Sequence, residues 1–251
     1  MDFRFIKDGF HDAFTNMAID EAIMKNCIKL GKPTIRFYGW KPSAISIGYF
    51  QSLEDEVELQ KCKELGIDFV RRITGGGAVF HDCELTYSFV CSEDSNIVPK
   101  NILESYQKIC NGLILGFKEL ELEAKFVPLN DIAMNGKKIS GNAQTRREKV
   151  VLQHGTIILK VDVDKMFSIL KVPNEKLKGK MIENVKQRVT SVEKEFGKEL
   201  SFEDCALAMK LGFQKAFNAN LLNGELSQEE LKLAEQIKKE QFSKKEWNFK
   251  R

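Results

Sequence analysis

Arg71-Arg72-Ile73-Thr74-Gly75-Gly76-Gly77-Ala78-Val79-Phe80-His81-Asp82 is the stretch whose reading decides the fold. It lies between two apolar, β-prone runs, Ile67 to Val70 and Leu85 to Val90, so the glycine triplet sits at a turn between two expected strands. Three adjacent glycines weaken any regular element, and they need a compensating reason. Glycine reaches positive φ and lets a ligand approach bare backbone, whose N–H groups cradle anions. The two arginines upstream add fixed positive charge and bidentate donors suited to phosphate or carboxylate. On these features alone, a glycine-rich hairpin turn beside two solvated arginines explains the stretch equally well.

A second stretch shifts the balance: Asn130-Asp131-Ile132-Ala133-Met134-Asn135-Gly136-Lys137-Lys138-Ile139-Ser140-Gly141-Asn142-Ala143-Gln144. Asn135-Gly136 is a hairpin signal between Ile132-Ala133-Met134 and the run that begins at Lys138. Side chains alternate across a strand, so only one of Lys137 and Lys138 can face a site. Gly141 interrupts that strand where a backbone or ligand approaches closely. The run Val150 to Leu159 is almost continuously apolar and carries His154, which reads as a central strand covered on both faces.

The 251 residues can bury a large core. A net charge of +3 argues against a dedicated nucleic-acid binder. The charged fraction, 30%, exceeds the ~25% usual for soluble domains and predicts a charge-laced, helix-rich surface. No apolar run approaches the ~20 residues that span a bilayer, and Met1-Asp2-Phe3-Arg4 leads into no signal-peptide core. A cytoplasmic protein without membrane or nucleic-acid partners is expected. The six cysteines (27, 62, 83, 91, 110 and 205) show no CxxC pair or metal spacing and read as small apolar residues. Cys83, just past the glycines and beside Asp82, lacks an evident base that would make it a nucleophile.

Along the chain, residues 16–30 have helical period, with Glu21 read as solvated. Thr34 to Tyr38 and Ala44 to Tyr49 read as strands, and Ser52 with Asp55 opens a helix that Gly66 ends. Residues 101–120 form an amphipathic helix, 123–160 a β-rich block and Asp164 to Leu170 a short helix. Pro173 to Arg188 reads as a lysine-rich loop, and Ser201 with Asp204 and Ser227 with Glu230 cap two further helices. The mixture predicts an α/β or α+β domain on a mixed sheet flanked by helices. We assign residues 1–195 to the main domain and 196–251 to a helical extension packed on it.

These residues carry a family resemblance. The arginine–glycine stretch, Asn130-Asp131-Ile132, Gly136-x-Lys138-Ile139-x-Gly141-x-Ala143 and His154-Gly155-Thr156 resemble the motif series of the lipoate–protein ligase A family, in order and spacing. Asn16 to Ala22, Arg36-Phe37-Tyr38-x-Trp40 and Gly48-Tyr49-Phe50-Gln51 resemble its N-terminal region, so the match covers roughly residues 10 to 195. The resemblance implies a biotin/lipoate ligase-like catalytic domain. It also implies a two-step reaction in which lipoate and ATP form lipoyl-AMP, which then acylates one lysine of a lipoyl carrier domain. The carrier would be an E2 subunit of a 2-oxoacid dehydrogenase or the glycine-cleavage H protein.

By the same resemblance, Arg72 and the loop Gly75, Gly76, Gly77, Ala78, Val79 and Phe80 hold nucleotide phosphate and lipoyl carboxyl. Lys138 is the catalytic cation, touching both the α-phosphate and the acyl carbonyl. Asp131 is the Mg²⁺ or adenine-side carboxylate, and His81, His154 and Gly141 are candidates for the lipoate pocket. Lys137 is left to solvent. The same fold houses octanoyltransferases and amidotransferases that carry the acyl group on a cysteine, but no cysteine occupies 121–130 or 171–176, where their nucleophile would align. Full-length bacterial ligases of the family carry an accessory C-terminal domain absent here, which some members supply as a separate polypeptide. A biotin ligase and a non-catalytic lipoyl or nucleotide binder are the remaining alternatives.

Overall fold

The computed structural model describes residues 1–171 and 178–251. In chain order its strands are β1 (Asp2–His11), β2 (Thr34–Trp40), β3 (Ala44–Ile47), β4 (Asp68–Arg71), β5 (Val79–His81), β6 (Glu84–Ser92), β7 (Lys125–Val127), β8 (Asp131–Met134), β9 (Lys137–Arg147), β10 (Val150–Ile158) and β11 (Asn220–Asn223). The helices are α1 (Ala13–Leu30), α2 (Leu53–Glu56), α3 (Leu59–Leu65), α4 (Ile102–Glu119), α5 (Val163–Ile169), α6 (Lys178–Arg188), α7 (Val192–Phe196), α8 (Phe202–Phe217), α9 (Gln228–Ile237) and α10 (Lys245–Asn248).

The expected mixed sheet is present, with eight strands in the order β11-β1-β2-β6-β10-β9-β8-β7. β1 runs parallel to β2 and to β11, and the pairs from β2 through β7 are antiparallel. β10 is central and buried along nearly its whole length, as its apolar run requires. One face packs Phe37, Tyr87 and Phe89 against α4 and α8. The other packs Tyr38, Val90 and Leu152 against α1 and the segment from α9 onward. Two covered faces give each apolar side chain of the sheet a partner and hold the strand ends rigid. Among the described residues, no helix is long and apolar enough to cross a membrane.

A smaller sheet, ordered β4-β3-β5, corrects the first reading of the glycine stretch. β4 and β5 do not pair with each other: β4 lies parallel to β3 on one side and β5 antiparallel on the other. The glycines therefore form an arch over the end of β3, not a hairpin turn.

Other expectations shift locally. The helix foreseen from Ser52 to Gly66 is split into α2 and α3, because buried Val57 leaves the helix to bridge Leu170. Residues 178–188 of the foreseen loop are helix α6, whose Met181, Ile182 and Val185 pack against Val163 and Phe167 of α5. Residues 173–177 of that loop, and 172–176 of the segment considered for a cysteine, lie outside the described residues. Glu21 is buried and salt-bridged to Lys25 at 2.9 Å, so it is not a solvated position.

The C-terminal segment supplies more than helices. β11 extends the sheet beside β1, and α10 fixes Arg71. The Asn248 side chain accepts from the Arg71 N–H at 2.7 Å, while the Arg71 guanidinium donates to Trp247 O, Asn248 O and the carbonyls of Gly48, Tyr49 and Gln51. Neither arginine of the opening stretch is solvated, since both are buried.

Candidate active site

Two adjoining cavities, of about 650 and about 860 Å³, share Ala78, Val79, Lys138, Gly141 and Thr156 in their walls. The smaller runs inward past Trp40 and His154 to Tyr38 and Met17, whereas the larger opens past Phe80 to Lys160, Asp162, Met166 and Val189. The glycine arch forms one side of this cleft, and the β8–β9 hairpin forms the other.

The arch has a defined polarity. Arg72 donates all five of its N–H groups to protein acceptors: Nε to Thr74 Oγ1, Nη1 to the carbonyl and hydroxyl of Ser46, and Nη2 to the carbonyls of Gly75 and Gly77 at 2.8 Å. Arg72 borders the smaller cavity, where phosphate or carboxyl was expected to meet it, and its donors hold the loop. Burial pushes its guanidinium down to about 10, still charged at neutral pH.

With two carbonyls drawn toward Arg72, the N–H groups of Gly75, Gly76 and Gly77 have no acceptor among the described residues. A run of unpaired backbone donors can make an anion-binding concavity. Gly76 has φ +101°, and a Cβ there would lie 2.7 Å from Arg72 Nη2. A Cβ on Gly48 would meet the Gly76 carbonyl oxygen at 2.0 Å, so the arch requires glycine on both sides of the contact.

Opposite the arch, Asn135 and Gly136 adopt positive φ and close the hairpin that their pairing predicted. Lys137 is exposed, and Lys138 is the lysine that enters the cleft. Its ammonium lies 2.8 Å from Asp131 Oδ1, with 43% of the lysine side chain exposed. Gly141 explains that placement, because a Cβ there would be 2.9 Å from both Cε and Nζ of Lys138. The side chain lies flat across the space that glycine leaves.

Both histidines border the smaller cavity, but their ring nitrogens are occupied. His81 Nδ1 is 2.7 Å from Glu84 and Nε2 is 2.7 Å from Ser46 Oγ, with the ring stacked on Trp40 at 4.0 Å. His154 Nδ1 is 3.2 Å from Asp20 Oδ2 and Nε2 is 2.7 Å from Thr74 Oγ1. They serve the pocket as walls, and neither offers a free nitrogen to a ligand. Burial holds His154 below the ordinary histidine range despite its bond to Asp20.

Asp20 itself also bonds Arg36 at 2.9 Å and Tyr38 at 2.9 Å in the protein interior. Burial would raise its carboxyl, but the His154 bond and the Arg36 charge outweigh that and leave it lowered. This network was not foreseen. Its signal was an aspartate among Ala18, Ile19, Ala22 and Ile23 on a helix otherwise made to be buried.

Of the residues singled out from sequence, Arg72, Gly76, Gly77, Ala78, Val79, His81, Lys138, Gly141 and His154 border the smaller cavity, and Phe80 borders the larger. Gly75 accepts from Arg72, and Asp131 pairs with Lys138. Among the described residues no three His, Cys, Asp or Glu side chains cluster to hold a metal. A Mg²⁺ at Asp131 would thus depend on phosphate oxygens for most of its ligands, an ordinary arrangement for that ion. All six cysteines are free and five are buried. Cys83 alone borders the cleft, and burial and Asp82 both raise its thiol.

The lipoyl protein ligase A/B catalytic domain profile matches residues 12–214. Octanoyltransferase LipM of Anoxybacillus flavithermus is 38% identical, over 99% of this chain and 98% of that protein. Among solved structures, the bi-partite lipoate protein ligase from Thermoplasma acidophilum aligns with a TM-score of 0.90 at 29% identity, covering 99% of this chain and 96% of that one. Lipoate-protein ligase A bound with ATP aligns with a TM-score of 0.86 at 29% identity over 99% of each chain. The chain belongs to the lipoyl protein ligase A/B catalytic domain family and is an enzyme with the lipoate ligase fold.

Proposed function

We propose that the chain is the catalytic component of an ATP-dependent lipoate–protein ligase. One observation carries this reading. The wall shared by the two cavities bears an ammonium group, while the one cysteine on their lining, Cys83 of the larger, has its thiol raised by burial and by Asp82. A thioester route needs a thiolate, whereas an acyl-adenylate route needs a fixed cation where charge develops.

In the first step the lipoate carboxylate attacks the α-phosphorus of ATP, and pyrophosphate leaves. In the second the acceptor lysine's amine attacks the lipoyl carbonyl to form the amide, AMP leaves with the electrons of the anhydride bond, and the nitrogen's proton passes to water. Negative charge builds first on the α-phosphoryl oxygens and then on the carbonyl oxygen. On this reading one ammonium, that of Lys138, stabilises both, aided by the glycine N–H groups of the arch that borders the same cavity. The inner cavity, closed by Met17, Tyr38 and Trp40, suits the lipoyl chain, and the outer suits the nucleotide. When bound, Mg²⁺ supplies charge neutralisation on the phosphates, with Asp131 as the carboxylate placed to share it.

The T. acidophilum relative is a bi-partite ligase described with its E2 lipoyl domain. That supports a lipoyl domain as acceptor here and a separate accessory subunit for lipoate activation. A second reading, octanoyl transfer, is favoured by the 38% identity to LipM.

The test supplies the purified chain with preformed lipoyl-AMP and a lipoyl domain, and in parallel with octanoyl carrier protein and no ATP. The ligase reading expects lipoylation of the domain in the first reaction and no octanoylation in the second. ATP-independent octanoyl transfer that is lost in Cys83→Ser would establish the transferase instead.

A further inference from the structure

Two side-chain relays of the same composition converge on Arg72. One runs from Glu84 through His81 to Ser46 Oγ, and the other from Asp20 through His154 to Thr74 Oγ1. Each hydroxyl also receives a guanidinium N–H at 3.2 Å. Each is thus a carboxylate–imidazole–hydroxyl chain, yet both hydroxyls are buried beneath the arch. Their geometry suits orientation better than nucleophilic attack.

The proton positions follow from the acceptors. A guanidinium can only donate, so Ser46 Oγ and Thr74 Oγ1 accept from Arg72 and direct their own hydrogens to Nε2 of the two imidazoles. Each ring then carries its hydrogen on Nδ1, facing a carboxylate. The second carboxylate is itself held by Arg36 and Tyr38, and the first accepts from Thr86, which accepts from Trp40 Nε1 at 2.7 Å. Every link has one direction, and both chains end on the same guanidinium. Three donors remain to Arg72: one Nη1 hydrogen binds the Ser46 carbonyl, and the two hydrogens of Nη2 bind the carbonyls of Gly75 and Gly77.

We propose that Ser46 and Thr74, oriented by His81 and His154, are positioning residues for the activation step. They aim Arg72 so that the arch's carbonyls turn inward and its N–H groups turn toward the nucleotide. The proposal deepens the ligase reading and rests on it for the kinetic part of its test. The relay itself is checked separately, without turnover.

The kinetic experiment compares Thr74→Val, which keeps the shape without the hydroxyl, with Thr74→Ser, which restores it. Lipoate-dependent pyrophosphate release is followed with the accessory subunit present. Loss of a hydrogen bond to a charged group predicts a KM for ATP raised on the order of tenfold in Thr74→Val, with kcat near the parent value. Thr74→Ser returns KM to the parent value. Ser46→Ala, on the relay through His81, shifts KM in the same direction. A Thr74→Val enzyme with unchanged KM, or one that Thr74→Ser does not rescue, overturns the proposal.

The structural experiment is nitrogen NMR of the histidine-labelled, ligand-free chain. It expects both rings as neutral Nδ1–H tautomers, and Thr74→Val is expected to move the amide resonances of Gly76 and Gly77. Finding either ring as the Nε2–H tautomer, or those amides unmoved, contradicts the relay even if the enzyme proves to use no ATP. An absence of pyrophosphate release beside the expected tautomers and amide shifts would instead reject the ligase reading and leave the relay standing.

Discussion

On the arch side of the cleft, Arg72, His81, His154 and Asp20 are buried and hydrogen-bonded to fixed partners. On the hairpin side, Lys138 and Asp131 keep 43% and 33% of their side chains exposed and bond chiefly to each other. The arch's charges are committed to shape, whereas the charge on the hairpin remains available to a substrate. A buried charge network is costly to break and holds its geometry, while a half-exposed ion pair contributes little stability and can exchange partners. This division separates loss of fold from loss of turnover.

The sharpest contrast is expected from Asp20→Ala. It leaves Arg36 with Asp8 as its remaining carboxylate and His154 without its acceptor. Removing one partner of a buried pair costs about 3–5 kcal/mol, which for a chain of this size lowers Tm on the order of 10 °C. A Tm within a degree of the parent would remove the distinction between the two walls.

Gly141→Ala probes the opposite wall. The added methyl meets the mobile end of Lys138, which swings away, and so Tm holds while turnover falls by up to about 10². A large drop in Tm with normal turnover of the remaining folded enzyme would reverse that assignment.

A smaller effect follows from acid. His154 is held below its ordinary 6.5 by burial, so in that window the unfolded chain binds a proton that the folded chain refuses. Stability therefore rises with pH across the window and is lost as pH falls below about 6.5. Asp8, Asp20 and Glu230, all lowered in the fold, add a further loss below about pH 4. Thermal melts across this range are expected to decline toward acid, with the first decline absent in His154→Gln. A Tm that climbs between pH 7 and 5.5 would contradict the neutral histidine.

Much of this cleft was legible because it is written in local rules. Asn135-Gly136 dictates a tight hairpin, Gly141 marks a close approach, and β10 announces its central place by an unbroken apolar run. The arch was not, since a glycine triplet between two strands looks alike whether the strands pair with each other or flank a third. β3, which decides the matter, lies earlier in the chain. The arginines were misjudged for a related reason. The acceptors of Arg71 on Gly48 and Trp247 and of Arg72 on Ser46 are set by tertiary packing, and those of Arg72 on Gly75 and Gly77 exist only once the arch has formed. The break at Val57 likewise depends on Leu170, far along the chain.

Transfer from preformed lipoyl-AMP to a lipoyl domain, compared between the parent chain and Lys138→Ala, bears most directly on the account. Removal of an electrostatic donor at the reacting carbonyl predicts a rate lowered about 10²–10³-fold, with an unaltered melting temperature. A variant that transfers the lipoyl group as fast as the parent would show that the ammonium over Gly141 takes no part in the chemistry.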